Sequence, residues 1–261
     1  MFTAMSAITQ WKEALESWAL PKEIIDQAEE SPWIHPPALF TLPTEIPMTP
    51  SHQKAGEALP EGGSILDIGC GGGIAAFAHT GKVGSVIGVD HQSEMLSMFA
   101  KNAEERGISH QVFEGFWPEA ASKVPTADVV TVHHVVYNVQ QIQQFIEALN
   151  QHARHRVVIE MPQHHPLSNM SDLWKHFWDL DRPTEPTHFS FMAVLEELGI
   201  KASMLEWESE MFRSLDHDQE AHFTRIRLAL PPSRENEVKD YLALNPRPGR
   251  RELATIWWDL P

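Results

Sequence analysis

The sequence predicts an α/β protein with a doubly wound parallel β-sheet. Between residues 64 and 198, short apolar runs alternate with helix-like segments, which is typical of a parallel sheet with helices on both faces. One of these runs, "RVVIEM", is nearly all apolar, as expected of a central strand that is covered on both faces. The alternation and the buried central run together indicate the fold class.

The chain before residue 64 is expected to be helical at both ends and extended in the middle. Apolar residues recur at near-helical spacing within 6–30, and Pro21 begins a second short helix there. The stretch 31–50 is rich in proline, which predicts an extended linker or a lid rather than a regular element. Residues 51–59 resume a helix, which the glycines of "EGG" end.

The remaining elements follow from the alternation. Predicted strands lie at 64–68, 85–89, 111–114, 127–132 and 156–161. Predicted helices lie at 73–80, 92–106, 139–152 and 187–198. The chain then continues with a strand in "KASMLEWE", a helix or alternatively a strand at 218–230, a helix at 234–244 and a last strand in "ELATIWWDL". We expect this last strand to complete an edge of the sheet, where its two tryptophans would pack.

The charge balance and the cysteine content exclude several classes of partner. There are 20 Lys and Arg residues and 36 Asp and Glu residues, a net charge of −16 with the histidines neutral. Such a surface repels nucleic-acid phosphates and anionic membranes, so neither is expected as a partner. No apolar run reaches the roughly 18 residues that span a bilayer, and the N-terminus does not read as a signal peptide. A single cysteine excludes an internal disulfide, so we expect a cytoplasmic protein.

The stretch "ILDIGCGGG" at 65–73 predicts a ligand-binding turn between a strand and a helix. It contains four of the 14 glycines, and glycine lets the backbone approach a ligand closely. A phosphate-binding P-loop would end in Gly-Lys-Ser/Thr, whereas Ile74 and Ala75 follow here. The dinucleotide-binding pattern would need glycine at position 74. Asp67 lies inside the motif, and its carboxylate favours a cationic group over a pyrophosphate.

A second acid indicates which ligand fits. Asp90 ends the strand of "SVIGVD", at the place where a carboxylate typically accepts hydrogen bonds from both hydroxyls of a ribose. The ligand implied is an adenosine that lacks phosphates and carries positive charge. S-adenosylmethionine (SAM), with its sulfonium and ammonium groups, fits this description and is the expected cofactor.

Three motifs together resemble those of the class I SAM-dependent methyltransferases. They are "ILDIGCGGG", "VIGVDHQSEM" and "ADVVTVHHVVYNV" at 127–139, in the order and at the spacing of that family. The resemblance covers roughly residues 50–200, and the final segments resemble a subgroup that acts on small molecules. It implies a Rossmann-like, seven-stranded sheet, mostly parallel with an antiparallel last strand. A SAM-binding domain at 51–261, with a lid insertion at about 162–186, would follow an N-terminal helical cap and proline-rich linker at 1–50.

The resemblance also implies cofactor contacts, position by position. The residues expected beside SAM are Asp67, Gly69, Cys70, Gly71, Asp90, His91, Gln92, Met95 and His133. Asp90 would hold the ribose, and Cys70 would be a small packing residue of the loop rather than a nucleophile. Phe116 stands where the family often has an acid that bonds the adenine amine, so Phe116 or Trp117 would stack on the adenine instead.

Catalytic candidates lie at the carboxyl ends of the strands, where open α/β sheets bind ligands. Methyl transfer from a sulfonium needs alignment, and it needs a base only where the nucleophile arrives protonated. His134 and Tyr137 follow the fourth strand and His165 follows the fifth, and these three are predicted to be catalytic. A metal ion is not expected, because adjacent histidines at a strand end point in opposite directions.

Substrate contacts are predicted in the linker and in the insertion. The predicted residues are Trp33, His164, Trp174 and Arg182. Aromatic walls with a few polar groups are typical of small-molecule pockets. Two roles stay open for Arg182, which could bind a substrate carboxylate or could pair with Asp179 or Asp181.

The sequence therefore predicts SAM-dependent methyl transfer to a small molecule by in-line displacement. Two alternatives stay open. A protein or RNA substrate is one, although the net charge disfavours RNA. A SAM-binding sensor or a non-methylating SAM enzyme is the other, and the altered "EGFW" segment favours it. An enzyme would form S-adenosylhomocysteine (SAH) from SAM when given its substrate, whereas a sensor would not.

Overall fold

The computed structural model describes residues 5–32, 42–43, 45–210, 216–247 and 249–261. Its strands are β1 (Ser64–Ile68), β2 (Ser85–Asp90), β3 (Ser109–Glu114), β4 (Ala127–His133), β5 (Ala153–Pro162), β6 (Ser203–Glu210) and β7 (Arg250–Asp259). They form one seven-stranded sheet in the order β3-β2-β1-β4-β5-β7-β6. β1 to β5 pair in parallel, and β7 is antiparallel to both of its neighbours. The predicted Rossmann-like fold with an antiparallel last strand is confirmed.

The helices cover both faces of this sheet. Within the described ranges they are α1 (Ala7–Glu16), α2 (Lys22–Ile25), α3 (Pro50–Ala58), α4 (Ile74–Phe77), α5 (Ser93–Glu105), α6 (Ile142–His152), α7 (Ser171–Trp178), α8 (His188–Glu197), α9 (His217–Arg227) and α10 (Glu235–Leu244). The segment 218–230, for which a strand was the alternative, lies largely in helix α9. None of the described helices is long and apolar enough to cross a bilayer.

The place of β7 in the sheet differs from the expectation. This strand lies between β5 and β6, so the edge of the sheet is β6 and the prediction of an edge at the C-terminus is wrong. Leu253, Ala254, Thr255 and Ile256 are consecutive and all buried, which means that both faces of β7 are covered. Side chains of β6 are mostly half-buried or exposed, as suits an edge strand.

A hydrophobic core fills each face of the sheet. α1, α6 and α8 cover one face, and α3, α4 and α5 cover the other. Trp11 of α1 is fully buried in the first core, where its ring stacks on Tyr137 at 5.8 Å and its indole N–H donates to the Val139 carbonyl at 2.9 Å. The N-terminal helix thereby fixes the loop that follows β4. The division of the chain into a cap at 1–50 and a main domain stays a prediction.

A third cluster, which we call the accessory core, lies beside the sheet. α2, α7, α9, α10 and the turns before α7 and after α9 build it from Ile24, Met170, Leu173, Trp174, Phe177, Ala221, Leu228, Ala229, Leu230, Val238 and Leu242. The segment predicted as a lid insertion contains the 3₁₀ turn Pro166–Met170, then α7, and then an extended stretch. The insertion is therefore packed against the two helices that connect β6 to β7.

Candidate cofactor and active site

The glycine turn after β1 is shaped by close packing on the protein's own side chains. Gly69 and Gly73 have positive φ values of 69° and 92°. A Cβ atom at Gly69 would lie 2.4 Å from a methyl carbon of Val135, and one at Gly73 would lie 2.3 Å from the ring of Phe77. These two positions require glycine for both reasons. The turn can therefore bring its backbone against the end of the sheet, where a ligand would lie.

Asp90 is held rigidly at the end of β2. One carboxylate oxygen accepts the Gly71 backbone N–H at 3.1 Å, and the other accepts the Gln92 backbone N–H at 3.0 Å. Asp90 therefore joins the glycine turn to the loop before α5. Each oxygen keeps a lone pair for a further donor, which is what two ribose hydroxyls need.

Asp67 offers the other carboxylate that SAM requires. Its Oδ1 accepts the Thr131 hydroxyl at 3.2 Å, whereas its Oδ2 is buried and has no hydrogen-bond partner among the described residues. Burial raises the pKa of Asp67 well above its ordinary value. An ammonium group would satisfy the orphaned oxygen and stabilise the ionised form. The two acids and the turn thus fit the cofactor that the sequence predicts.

The adenine end of the site carries one exposed ring pair. His91 and Phe116 stack with their ring centroids 4.7 Å apart, and 65% of Phe116 is exposed. Trp117, which the sequence offered as the alternative stacking residue, is buried in the core, and its indole N–H donates to the Phe145 carbonyl. That assignment is wrong, because the indole is buried against α6 and does not present a free face to a ligand. Phe116 remains the candidate for adenine stacking.

Two further predicted cofactor residues are buried. Met95 lies in the first turn of α5, next to the exposed Gln92. The Cys70 sulfur packs beside Gly88, where an added Cβ would approach it to 2.9 Å, and burial raises the pKa of the thiol well above its ordinary value. Cys70 can therefore contribute its backbone to the loop, but it is not a nucleophile.

The two histidines at the end of β4 approach the same carboxylate. His134 leaves the strand with a left-handed φ of 61°, and its Nε2 lies 3.1 Å from Glu160 Oε1. Nδ1 of His133 lies 3.8 Å from the same oxygen. The expectation that these neighbouring side chains point apart is wrong, because it assumed extended backbone at position 134. A left-handed non-glycine residue is uncommon, and histidine is among the residues that adopt this conformation most readily.

The side chain of His133 lies beneath α3, so only the backbone of this residue is available to a ligand. Its ring stacks on His52 with a centroid distance of 5.4 Å, and burial lowers its pKa to about 3. Stacked imidazoles do not aim their lone pairs at one point, which a shared metal ion would need. Within the ranges that the structure describes, no three His, Cys, Asp or Glu side chains could hold a metal ion.

Glu160 organises this end of the sheet. It is buried and accepts hydrogen bonds from the Thr49 hydroxyl and from His134. Burial alone would raise its pKa, but the adjacent imidazoles and the hydrogen bonds outweigh burial and hold the pKa below its ordinary value. Nε2 of His134 lies 3.1 Å from Oε1 of Glu160, so a proton on Nε2 would face the carboxylate and leave the lone pair of Nδ1 available. With 38% of its side chain exposed, His134 both meets the Glu160 carboxylate and reaches the surface.

Tyr137 and His165 contact each other but are not arranged as bases. The Tyr137 hydroxyl donates to the Pro162 carbonyl at 2.8 Å, and burial raises its pKa well above the ordinary value. His165 Nδ1 accepts the Leu167 backbone N–H, and burial together with Arg182 lowers its pKa to about 4. His165 is therefore neutral with its proton on Nε2, which makes it a hydrogen-bond donor. The geometry argues against the catalytic roles predicted for these two residues.

A pocket of about 430 Å³ opens beside His165. It is lined by Leu15, Glu16, Trp18, Ala19, Asn138, Gln140, His165 and Leu167. The ring of Trp18 stacks on His165 at 4.0 Å, and its N–H donates to the Glu185 carbonyl. Trp18 is a site residue that the sequence does not reveal, because its spacing from Trp11 and Leu15 is that of an ordinary amphipathic helix.

The predicted substrate residues are distributed unequally around this pocket. The guanidinium of Arg182 lies over the rings of Trp18 and Trp174, at 5.1 and 5.6 Å. Trp174 is buried in the accessory core, so it approaches the pocket only through Arg182. The side chain of His164 is exposed, and its backbone pairs with Thr187. Trp33 lies outside the described residues.

Comparisons with known proteins agree with this geometry. The model of a family described as "Methyltransferase domain" matches residues 46–198. The chain is 26% identical over 215 residues to an uncharacterized protein of Haemophilus influenzae, covering 76% of each. It is 31% identical to a probable cobalt-precorrin-6B C(15)-methyltransferase (decarboxylating) of Pyrobaculum calidifontis, covering 36% of this chain and 52% of that one, about half of its length. A SAM-dependent methyltransferase structure from Aquifex aeolicus superposes with a TM-score of 0.50 at 14% identity, covering 87% of this chain and 100% of the other. At this identity the superposition supports the fold alone.

Proposed function

Because the chain belongs to the methyltransferase-domain family and is a SAM-dependent methyltransferase, we propose that it methylates a small molecule bound in the pocket beside Trp18 and His165. A volume of about 430 Å³ lies within the range of small-ligand pockets, roughly 300–1,000 Å³. The pocket is bounded by α1 and by the loops that follow β4 and β5. A net charge of −16 disfavours nucleic acid as the substrate, and the single cysteine favours a cytoplasmic location.

The residues that would hold the cofactor are those of the two acidic loops. Asp90 would accept the ribose hydroxyls, Asp67 would face the ammonium group, and His91 with Phe116 would contact the adenine. Bound SAM would supply an electrophilic methyl group on its sulfonium. The chain's own task is to align a nucleophile with that group and to remove a proton where the nucleophile carries one.

The single observation that carries the proposed mechanism is the pair of His134 and Glu160. Glu160 fixes the tautomer of His134, so Nδ1 can accept a proton from an O–H, N–H or S–H nucleophile. The positive charge that then forms on the imidazole is stabilised by the buried carboxylate. His165, with its proton on Nε2, would donate a hydrogen bond that orients the substrate.

The test is a measurement of SAH formation with a panel of small phenols, thiols and amines. We expect turnover by the wild type and a decrease in kcat of about 100-fold or more in His134→Asn, with little change in SAM affinity. Glu160→Gln should lower kcat less, because the amide can still accept the N–H but does not stabilise the imidazolium. His155→Asn is the matched control, since that exposed histidine lies at the opposite end of the same strand as Glu160.

Two results would contradict this proposal. An unchanged kcat in His134→Asn would show that His134 is not the base, whichever substrate is found. SAM binding without SAH formation from any small molecule would favour the SAM-binding sensor, which the aromatic Phe116 in place of an acid also supports. SAH formation only with protein added would show that the substrate is a protein.

A further inference from the structure

Arg182 is a cation that no acid among the described residues neutralises. Its guanidinium lies between the indoles of Trp18 and Trp174, and one Nη–H donates to the Trp18 carbonyl. Its Nε–H is buried and has no hydrogen-bond partner among the described residues. Indole faces attract a cation but offer no acceptor in the plane of the guanidinium. The side chain therefore keeps unused donors in a partly desolvated position.

The acids near Arg182 are committed elsewhere. Asp179 and Asp181, which the sequence offered as its partners, both pair with Lys175, at 2.8 and 3.1 Å. Glu185 accepts the Ser190 hydroxyl and the Thr187 backbone N–H. No described carboxylate forms a salt bridge with Arg182, and the ranges that the structure leaves out contain no Asp or Glu. The alternative that Arg182 pairs with Asp179 or Asp181 is therefore wrong.

An unpaired guanidinium in this position needs an anion. Burial lowers the pKa of Arg182, which means that its charge is less well solvated than in water. An arginine does not give up its proton in a protein, so it cannot relieve this cost by becoming neutral. A carboxylate is the planar acceptor that matches a guanidinium, and the pair is stronger than a neutral hydrogen bond.

Arg182 adjoins the pocket through Trp18, which lines the pocket and whose ring lies 5.1 Å from the guanidinium. Burial and the charge of Arg182 together lower the pKa of His165. The ring of His165 stacks on the ring of Trp18. Nε2–H of His165 is a second donor on this side. Glu16 is the one acid among the lining residues, and Lys12 lies 3.7 Å from it. Donors and positive charge are thus concentrated where Trp18 meets the pocket.

We propose that the substrate carries a carboxylate, which Arg182 binds while Trp18 and His165 form the wall beside the rest of the molecule. This inference rests on the proposed function, because it describes the substrate of the same pocket. It limits the substrate class to small organic acids with a methylatable group. An acidic protein thus uses one locally unbalanced cation to accept an anionic ligand that its overall charge would repel.

The experiment compares carboxylic acids with their neutral primary amides. Calorimetry on SAH-saturated protein would use 3-hydroxybenzoate, phenylacetate and indole-3-acetate, each against its amide. We expect at least one acid to bind about tenfold or more tightly than its amide, because a hydrogen bond to a charged group contributes that much. Arg182→Gln should abolish this preference and leave SAH affinity unchanged. Arg154→Gln is the matched control, since Arg154 pairs with Asp128 at the opposite end of β5.

Other outcomes overturn the inference. If no acid binds better than its amide, or if Arg182→Gln keeps the preference, Arg182 only joins Trp18 to Trp174. Should Arg182→Gln fold poorly, Arg182→Lys is the second variant. Lysine keeps the charge but lacks the two parallel N–H donors of the guanidinium, so we expect a reduced preference for acids. SAH formation from neutral compounds alone would leave the methyltransferase proposal intact and would contradict the inference that the substrate carries a carboxylate. Acid-selective binding without any SAH formation would support the carboxylate site and contradict the methyltransferase proposal.

Discussion

Asp67 links cofactor binding to a proton. Burial raises its pKa in the free protein, and a bound ammonium group would lower the pKa again by stabilising the carboxylate. Binding therefore releases a proton whenever Asp67 starts protonated. We expect the affinity for SAH, which carries the same ammonium group as SAM, to weaken as the pH falls below the raised pKa of the free carboxyl. Calorimetry in buffers of different ionisation enthalpy would measure the released proton.

Asp67→Asn separates this effect from others at the same site. The amide keeps the size of the side chain and can still accept the Thr131 hydroxyl, but it cannot lose a proton. Its binding should be weaker and nearly independent of the buffer. Equal proton release in the wild type and the variant would show that another group titrates.

At the scale of residues, the sequence was most informative where a motif fixes the backbone. Asp67 and Asp90 lie at the ends of adjacent strands, as the motifs predict. The motif that contains Tyr137 and the segment that contains Trp117 place both residues at the site, yet both are buried with their polar atoms bonded to backbone carbonyls. The direction of a side chain depends on local φ and ψ, and a single left-handed residue such as His134 reverses it.

At the scale of elements, α3 covers a layer of buried histidines that the sequence did not reveal. His52 of α3 stacks on His133, and His79 follows α4 and packs against the same helix. All three have an Nε2 atom that is buried without a hydrogen-bond partner among the described residues. Burial lowers the pKa of His52, that of His79 to about 4, and that of His133 to about 3. The layer is therefore neutral at physiological pH.

This layer predicts a loss of stability in mild acid. The unfolded histidines titrate near pH 6.5, so below that pH the unfolded state binds more protons than the folded one. The free energy of unfolding should be unaffected by these residues above about pH 6.5 and should decrease as the pH falls toward 4. Each histidine contributes up to about 1.4 kcal/mol per pH unit in that window. Urea unfolding at several pH values would measure the slope.

Variants separate the contribution of the histidines to this slope from the contributions of two buried acids. Asp67 acts in the opposite direction, because its raised pKa lets the folded state take up a proton in the same window. Glu160, with a lowered pKa, loses its stabilising charge only below its ordinary value near 4.5. His79→Gln should therefore reduce the slope relative to the wild type, and His155→Gln, at an exposed site, should not. Parallel slopes for all three proteins would contradict a role for the buried layer.

The elements that sequence periodicity predicted best are those with a one-sided or fully buried pattern. β1 spans the predicted residues 64–68, and β5 begins three residues earlier than expected, at Ala153. The accessory core could not be predicted, because it joins α2 and α7 to α9 and α10 across almost the whole chain. Contacts between such distant segments leave no periodic signal in either of them.

At the scale of the whole molecule, charge is the property that the sequence gives most directly. The net charge of −16 produces a negative potential around the protein, which attracts cations and repels anions over roughly 10 Å at moderate salt. The two ligands of the cofactor site differ in this respect. SAM carries a net positive charge at neutral pH, whereas SAH is a zwitterion without net charge.

This difference predicts how salt affects the two association rates. Raising sodium chloride from about 20 to about 300 mM shortens the Debye length severalfold, so steering of a cation weakens. The association rate constant of SAM should therefore fall several-fold, and that of SAH should change little, although both ligands enter the same site. Stopped-flow tryptophan fluorescence would measure both rates, with SAH as the matched control. Equal salt dependence for the two ligands would mean that the field of the whole protein does not steer the cofactor, and that Asp67 and Asp90 act only after contact.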